Sequence, residues 1–225
     1  MSVKEKISAV IDSVHAAEKL SGREVGSVKI IAVTKYRDAD FAKNFPENGI
    51  FDLAENRVDK LQEKQKVLKD FPEIRWHLIG SLQRRKVRTI INQIDTFHAL
   101  DSLQLAEEIS KRALHKIKCF LEVNVSGEES KHGFTSSEVF EAVKVISTLS
   151  NVEIIGLMTM APLDADDIDL HKIFSETKEL QEQIKAMNLA NIPCTELSMG
   201  MSRDYKIAIQ EGATMVRIGS SFLEN

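Results

Sequence analysis

A lysine stands directly after an apolar run near the start of the chain. Residues 28–33 read VKIIAV, and Thr34 and Lys35 follow them. At the end of a strand, such a lysine more often reaches solvent along its own aliphatic stem. A desolvated lysine amine, however, is a nucleophile that forms Schiff bases with carbonyl compounds. Lys35 is therefore a candidate Schiff-base residue, provided that other residues form a binding site beside it.

Two segments near the other end of the chain are rich in glycine and serine. Residues 198–202 read SMGMS, and residues 217–221 read RIGSS. Glycine lets backbone N–H groups approach an anion closely, and serine adds hydroxyl donors. A helix that begins near Ser202 would also direct its positive end at a phosphate. SMGMS alone fits an ordinary turn before a helix equally well, but the two segments together favour a phosphate-binding site.

The elements that must position these residues are short β-branched runs, which alternate along the chain with longer amphipathic stretches. The eight runs are residues 28–33, 51–54, 75–79, 96–100, 118–125, 152–158, 194–198 and 214–218. Such alternation is typical of a parallel sheet covered by helices. Eight repeats predict an α/β fold with a single closed (β/α)8 TIM barrel. An open doubly wound sheet is the alternative, although no G-x-G-x-x-G motif follows the first run.

The barrel prediction brings the two chemical features to one place. Working residues of such barrels lie at the carboxyl ends of the strands, and phosphates are most often bound after the seventh and eighth strands. Closure of a barrel sets its first and last strands side by side. Lys35 and the two Gly/Ser segments would then share one mouth. This combination suits a small phosphorylated aldehyde, and pyridoxal 5'-phosphate (PLP) is such a molecule.

The composition of the chain restricts the other possibilities. With 225 residues, 43% of them hydrophobic, we expect one domain over residues 1–225 and no second domain. A net charge of −4 does not favour a nucleic-acid partner. No apolar run is long enough to span a bilayer. Residues 1–20 carry apolar residues at a 3.6-residue period, which predicts an amphipathic helix and not a secretory signal. The two cysteines are far apart, and the six histidines lack metal-ligand spacing, so we expect a cytoplasmic protein without a metal.

Several segments of the chain resemble one known family. They are AVTKY (32–36), ENRV (55–58), WHLIGSLQRRK (76–86), EVNVSGEESKHGF (122–134), GLMTMAP (156–162) and SMGMSRDYKIAIQEGATMVRIGS (198–220). In this order they are similar to the PLP-homeostasis proteins, which resemble the N-terminal barrel domain of alanine racemases, the fold-type III PLP proteins. The likeness extends from about residue 5 to residue 222. Ala54, where the family usually carries glycine, is one departure from its pattern.

The resemblance implies a set of cofactor-binding residues. They are Lys35, Asn56, His77, Ser198, Gly200, Arg217, Gly219 and Ser220. Lys35 would carry PLP as an internal aldimine. Ser198 and Gly200, with the backbone of Gly219 and Ser220, would hold the phosphate. Arg217 would face the pyridine nitrogen and keep it unprotonated, because a guanidinium is always protonated.

Two residues beside the implied site have alternative interpretations. Asn56 and His77 would line the cofactor, but for His77 a hydrogen-bonded histidine packed beside Trp76 is an equal alternative. In the loop of residues 128–132, Lys131 is a hypothetical second amine near PLP, although a solvated loop is the simpler interpretation.

Three functions fit these observations. The first is a non-enzymatic PLP-binding protein that buffers the cofactor or supplies it to PLP-dependent apoenzymes, acting as a monomer. The second, a PLP-dependent amino-acid racemase, needs two opposed acid/base groups, of which only Lys35 is evident. Tyr36 is adjacent to Lys35 and Tyr205 closely follows the SMGMS segment, and neither is an evident second group. The third is a Schiff-base aldolase acting on a sugar phosphate, for which no acid/base partner is evident. The first is the function that the resemblance implies.

Overall fold

The computed structural model describes residues 1–127 and 132–223, which form a closed parallel barrel with helices around it. The strands are β1 (Lys29–Val33), β2 (Asp52–Glu55), β3 (Arg75–Leu78), β4 (Thr96–Leu100), β5 (Ile117–Asn124), β6 (Phe134–Thr135), β7 (Val152–Met158), β8 (Glu196–Met201) and β9 (Met215–Ile218). Their order is β4-β3-β2-β1-β9-β8-β7-β5, and pairing of β4 with β5 closes the ring. The short β6 pairs with β5 alone and lies outside the ring. The predicted (β/α)8 barrel is thus confirmed.

The helices occupy the connections between the strands. They are α1 (Val3–Leu20), α2 (Ala39–Glu47), α3 (Val58–Val67), α4 (Val87–Ile90), α5 (Leu103–Arg112), α6 (Val139–Ile146), α7 (Asp167–Ala186) and α8 (Tyr205–Gln210). Short 3₁₀ turns at Arg84–Lys86, Ile91–Gln93 and Ser220–Phe222 complete the described elements. No helix within residues 1–127 and 132–223 has the length and apolar character that a membrane crossing requires.

The first helix ties the two ends of the chain together. Ser2 caps α1 in a reciprocal arrangement with Glu5, in which each side chain bonds the other residue's backbone N–H. The buried face of α1 packs against α8 and the turn that follows β9. The helix predicted from the amphipathic N-terminus is therefore confirmed, and it packs beside the junction of the first and last strands, β1 and β9.

The predicted and observed strands differ most at the seventh run. This run was expected over residues 194–198, but β8 covers Glu196–Met201. Cys194 has a φ of 44°, in the left-handed region, which a strand residue does not adopt. The chain therefore turns at Cys194, and extended backbone begins two residues later. The strand continues into the SMGMS segment, so its first serine lies within β8.

Pairing of β1 with β9 sets the register on which the barrel mouth depends. Ile31 pairs with Arg217, and Ala32 pairs with Ile218. Each strand therefore ends at nearly the same height, and the residues that follow both strands emerge together. The segments that carry Lys35 and Gly219 are neighbours although more than half of the sequence separates them.

Gly156 lies at a close approach of two barrel strands. It pairs with Glu196 across the β7–β8 interface, where a Cβ added to the glycine would lie 1.8 Å from the Glu196 carbonyl oxygen. Any side chain at residue 156 would therefore push β7 and β8 apart.

We expect Gly156→Ala to lower the free energy of unfolding by about 3 kcal/mol or more, because overpacking at this contact forces backbone to move. Gly22→Ala is the control, since Gly22 has no atom within 4 Å of an added Cβ and only its left-handed backbone opposes the change. That substitution should cost about 1 kcal/mol. Equal losses in denaturant unfolding of the two variants would contradict the close approach.

Candidate functional site

A cavity of about 420 Å³ opens at the carboxyl ends of the strands. Its walls come from residues at the ends of β1, β2, β3, β7, β8 and β9 and in the loops after them. The lining residues are Val33, Lys35, Asn56, Ile79, Met158, Met160, Pro162, Leu163, Ala165, Asp167, Leu170, Met201, Ser202, Arg203, Asp204, Arg217, Gly219 and Ser220. This is the end of the barrel at which the sequence predicts the site. Five of the eight predicted site residues line the cavity: Lys35, Asn56, Arg217, Gly219 and Ser220.

Lys35 extends into the cavity from a restrained piece of backbone. It follows the fully buried Thr34, whose amide donates to the Ala54 carbonyl oxygen at 3.1 Å. The next residue, Tyr36, has a φ of 72°, a left-handed conformation that non-glycine residues seldom adopt. The Lys35 ammonium lies 5.5 Å from the centroid of the exposed Tyr36 ring. The amine is therefore accessible, while the backbone that carries it is fixed.

A buried ion pair supports this backbone from below. Lys64 of α3 pairs with Glu55 at the end of β2, and their side chains are 2% and 1% exposed. The same ammonium donates to the Thr34 carbonyl oxygen at 2.8 Å, and the Thr34 hydroxyl donates to Glu55 at 2.6 Å. The second carboxylate oxygen of Glu55 is buried and has no partner among the described residues. The ion pair thus holds β1, β2 and α3 together one residue before Lys35.

The Gly/Ser segments form a cradle on the wall beside β1. The hydroxyl oxygen of Ser202 accepts from the backbone N–H groups of Gly219 at 3.1 Å and Ser221 at 3.3 Å. Ser202, Gly219 and Ser220 all line the cavity. A Cβ at Gly219 would come within 3.2 Å of the Val33 carbonyl oxygen, so glycine allows this loop to lie against β1. The N–H groups of Gly219 and Ser221 thus donate to Ser202, and the hydroxyls of Ser202 and Ser220 are the donors at this side of the cavity.

Ser198 and Gly200, which the sequence assigns to the phosphate, do not line the cavity. Ser198 is fully buried within β8, where its hydroxyl contacts His98 and Arg217. Gly200 has a φ of 91°, and a Cβ there would lie 2.6 Å from the Ala208 Cβ and 2.9 Å from the Tyr205 Cα. Packing of α8 on the strand explains this glycine. The second serine of SMGMS, Ser202, reaches the cavity instead, because it follows the end of the strand.

Arg217 contributes a buried positive charge to the cavity wall. The residue is 4% exposed, and its guanidinium donates to the carbonyl oxygens of Ser198 at 2.6 Å and Thr159 at 2.9 Å. Burial lowers the pKa of Arg217 to about 10, a shift that the nearby Asp204 and Glu122 oppose. Arg217 therefore remains protonated at neutral pH.

Burial raises the pKa of two acidic groups near Arg217. Burial raises the pKa of Glu122, and the neighbouring Asp101 carboxylate raises it further. Burial also raises the pKa of Asp204, although the N–H of Met201, which donates to this carboxyl, acts in the opposite direction. Of these two, only Asp204 lines the cavity.

His77 lies beneath the cavity rather than in its wall. The residue is 2% exposed, and its Nε2 lies 2.9 Å from the Asp52 Oδ1. Its Nδ1 lies 2.9 Å from the Nε2 of His98, which is fully buried on β4. His77 is thus a hydrogen-bonded core histidine, as the alternative interpretation of the sequence has it.

Sequence reasoning missed several residues of this site. Glu55, Lys64 and His98 have no distinguishing pattern of their own, although Glu55 begins the ENRV segment. Ser202 could have been found from the strand end alone, had the boundary of β8 been known. Lys131, the hypothetical second amine, lies outside the described residues.

The chain is similar to known proteins over almost its whole length. The sequence profile of the alanine racemase, N-terminal domain, family matches residues 4–223. A pyridoxal phosphate homeostasis protein of Aquifex aeolicus is 34% identical over 223 residues, covering 98% of this chain and 96% of the relative. Two solved structures superpose closely. One is an unknown protein of Bifidobacterium adolescentis, with a TM-score of 0.94 and 34% identity over 98% of this chain and 94% of that one. The other is PipY of Synechococcus elongatus with PLP bound, with a TM-score of 0.86 and 29% identity over 99% of this chain and 100% of that one.

Loss of the Lys64 ammonium should be costly. We expect Lys64→Met to lower the free energy of unfolding by about 3 to 5 kcal/mol, because Glu55 keeps a buried charge without its partner. Lys60→Met, on the same helix, removes an ammonium from an exposed pair with Glu63 and should cost no more than about 1 kcal/mol. Denaturant unfolding of both variants checks this, and equal losses would show that the buried pair does not support the fold.

Buried His98 should make the folded state sensitive to acid. Burial, with the charges of His77 and Arg217, holds the pKa of His98 well below its usual value of 6.5. Below about pH 6.5 the unfolded chain takes up a proton at this residue and the folded protein does not, so stability falls as pH falls. Asp52 acts with the same sign at lower pH. Burial alone would raise its pKa, but hydrogen bonds from Arg75 and His77 hold that pKa well below its usual range.

The pH dependence of the free energy of unfolding distinguishes the contribution of His98 from that of Asp52. As the pH falls from about 6.5 to 4.5, the free energy of unfolding of His98→Gln should decrease less steeply than that of the parent protein. The difference in slope should reach up to about 1.4 kcal/mol per pH unit. Urea unfolding at several pH values measures this slope, and His115→Gln, on the surface, controls for the removal of one imidazole. An unchanged slope in His98→Gln would contradict the assignment.

Proposed function

This chain belongs to the alanine racemase N-terminal domain family and, within it, to the pyridoxal phosphate homeostasis proteins, and we propose that it binds PLP covalently at Lys35. The observation that carries the proposal is the shared cavity. An accessible primary amine on Lys35, the hydroxyl-bearing Ser202 and Ser220, and the buried cation Arg217 line one space. A phosphorylated aromatic aldehyde requires these three groups together.

The residues present fit this cofactor. Ligand cavities of about 300 Å³ or more bury small molecules well, and the space here meets that size. The cradle of Ser202, Gly219 and Ser220 offers donors for phosphate oxygens, in place of the contacts that the sequence assigned to Ser198 and Gly200. Met158 and Ile79 supply apolar wall for a ring. Asp204 also lines the cavity, where burial raises its pKa and its carboxyl accepts the Met201 N–H.

Three residues of the wall would have a role toward the bound cofactor. Lys35 would form the covalent bond, Asn56 would line the ring from the β2 side, and Arg217 would face the pyridine nitrogen. When bound, PLP supplies an aldehyde that condenses with amines and a ring that can accept electrons. Because the Arg217 guanidinium can only donate hydrogen bonds, a pyridine nitrogen facing it would remain unprotonated. The ring would then be a weak electron acceptor. Such a site retains the cofactor and limits its chemistry.

We infer that the protein buffers PLP or supplies it to PLP-dependent apoenzymes, and is not an enzyme itself. Racemisation needs a second acid/base group opposite Lys35. Neither tyrosine fulfils this role: the Tyr205 hydroxyl bonds to Ser13 of α1 at 2.7 Å, and Tyr36 lies outside the cavity lining. An exposed lysine at an open mouth suits exchange of the cofactor with other proteins.

We also propose that the protein is cytoplasmic and works as a monomer. Cys119 and Cys194 are free and fully buried. Burial raises the pKa of the Cys194 thiol to about 12, a shift that the Glu182 carboxylate adds to. Free thiols of this kind fit a reducing compartment. The mouth of the cavity is formed within one chain, so no second copy is needed to complete it.

Covalent attachment should depend on one lysine. We expect the purified protein, incubated with PLP, to be yellow and to yield a pyridoxyl adduct on Lys35 after borohydride reduction. Lys35→Ala should lose both the visible absorption and the adduct. Lys29→Ala is the control, since Lys29 is an exposed lysine on the same strand at the opposite end of the barrel. Absorption spectra and peptide mass mapping provide the readout.

Two outcomes would change this assignment. A parent protein that stays colourless and takes up no PLP would contradict the proposal and favour the aldolase alternative. A yellow protein that racemises added L-amino acids at enzymatic rates, with the activity lost in Lys35→Ala, would favour the racemase alternative over the carrier.

A further inference from the structure

A line of buried polar side chains crosses the interior of the barrel. It begins at Asp52, the first residue of β2, and passes through His77 of β3, His98 of β4 and Ser198 of β8 to Arg217 of β9. The contacts are Asp52 Oδ1 to His77 Nε2 at 2.9 Å, His77 Nδ1 to His98 Nε2 at 2.9 Å, His98 Nδ1 to Ser198 Oγ at 2.9 Å, and Arg217 to Ser198 Oγ at 2.8 Å. All five residues are less than 5% exposed.

The two ends of this line carry opposite charges. Asp52 lies at the amino-terminal rim, where Arg75, whose side chain is half exposed, donates to it from Nε at 2.8 Å. At the other end, Arg217 lines the cavity. The three residues between them can both donate and accept hydrogen bonds. The line therefore connects the outer rim of the barrel with the wall of the cofactor site.

The charged ends determine which way each hydrogen bond points. Asp52 only accepts, so His77 donates from Nε2 and accepts at Nδ1 from His98 Nε2–H. His98 then accepts at Nδ1 from the Ser198 hydroxyl, and the oxygen of that hydroxyl accepts from Arg217. Every donor points toward Asp52.

The reverse order is unfavourable for a physical reason. If His98 donated from Nδ1, the Ser198 hydroxyl hydrogen would need another acceptor. Arg217, its other partner in the line, is a donor only. His77 would also have to carry protons on both ring nitrogens, which would make it a buried cation.

The acceptors around Arg217 show why this order is important. The guanidinium donates to the carbonyl oxygens of Ser198 and Thr159 and to the Ser198 hydroxyl, and no hydrogen bond to a carboxylate is found within residues 1–127 and 132–223. Asp204 and Glu122 act on it through their charge alone. The Ser198 hydroxyl is the acceptor that leads, through two imidazoles, to a carboxylate.

We infer that Asp52, His77, His98 and Ser198 form a proton-ordered relay that holds the Arg217 guanidinium in one orientation toward the cavity. The four residues are thus positioning residues for the atom of the cofactor that Arg217 faces. The cofactor half of this inference rests on the proposed PLP function. The order of the protons does not, because it follows from the contacts of the protein itself.

Ser198→Ala tests the relay with the loss of a single oxygen. The backbone carbonyl of residue 198 remains available to Arg217, so the barrel keeps that contact. In the cofactor-free protein we expect the ring ¹⁵N signal of His98 Nδ1 to move, because it loses its donor, and the His77 signals to move less. In the PLP-bound protein we expect the visible band to shift and the Kd for PLP to rise about tenfold.

Two further variants separate positioning from simple loss of stability. Thr177→Ala removes another fully buried hydroxyl, which donates to the Ile173 carbonyl oxygen at 2.7 Å within α7, remote from the relay. It should lower the melting temperature without moving the histidine signals, the band or the Kd. Ser198→Thr keeps the hydroxyl and should restore the His98 signal toward its position in the parent protein.

The outcomes distinguish the relay from the proposed function. Histidine signals that stay in place in Ser198→Ala overturn the relay. Histidine signals that move while the band and Kd of the PLP-bound protein stay constant overturn the positioning of the cofactor. A parent protein that takes up no PLP refutes the proposed function and with it the cofactor half of the inference, while the ¹⁵N signals still decide the proton order.

Discussion

The pairing of β1 with β9 is the contact on which the site depends, since it joins the two ends of the chain into one mouth. Ile31 opposes Arg217 and Ala32 opposes Ile218, so both strands end at the same height. A shift by one residue would exchange the inward and outward side chains of a strand. Arg217 would then leave the interior, and the loop of Gly219 would no longer lie against Val33. The helix α1 packs beside the junction of β1 and β9 and contacts α8, which begins three residues after Ser202.

Two buried polar networks lie in the core of this protein. The Lys64–Glu55 pair joins α3 to the end of β2, and the line from Asp52 to Arg217 crosses the barrel. Buried charges are costly to desolvate, and apolar residues of similar size are often as stable. Buried charged groups are expected where a side chain or a backbone segment has to be held in one orientation. The first network holds the backbone that carries the amine, and the second holds the guanidinium on the neighbouring strand β9.

Much of the fold could be predicted because it depends on local pattern. Seven of the eight strands were predicted within about two residues at either end, and α1 follows from its amphipathic period and its Ser2 cap. The eighth, β8, was displaced because the left-handed turn at Cys194 has no sequence signal such as glycine. That displacement had a consequence for the site. With the strand ending at Met201, Ser198 lies inside the barrel and Ser202 reaches the cavity.

The sequence by itself determined the barrel class, the lysine after the first strand and the Gly/Ser segments after the last two, because each depends on residue type and spacing along the chain. The tertiary structure alone decided which atoms of those segments meet the cavity. It also brought His77 and His98 together with Ser198, and Lys64 with Glu55. Those contacts join residues on different strands and helices, and neither hydrophobic period nor composition specifies which polar side chains will face one another across a closed ring. Gly200 shows the difference most clearly. The glycine and serine content of its segment suggests an anion site, whereas the atoms around Gly200 belong to α8, which packs against it.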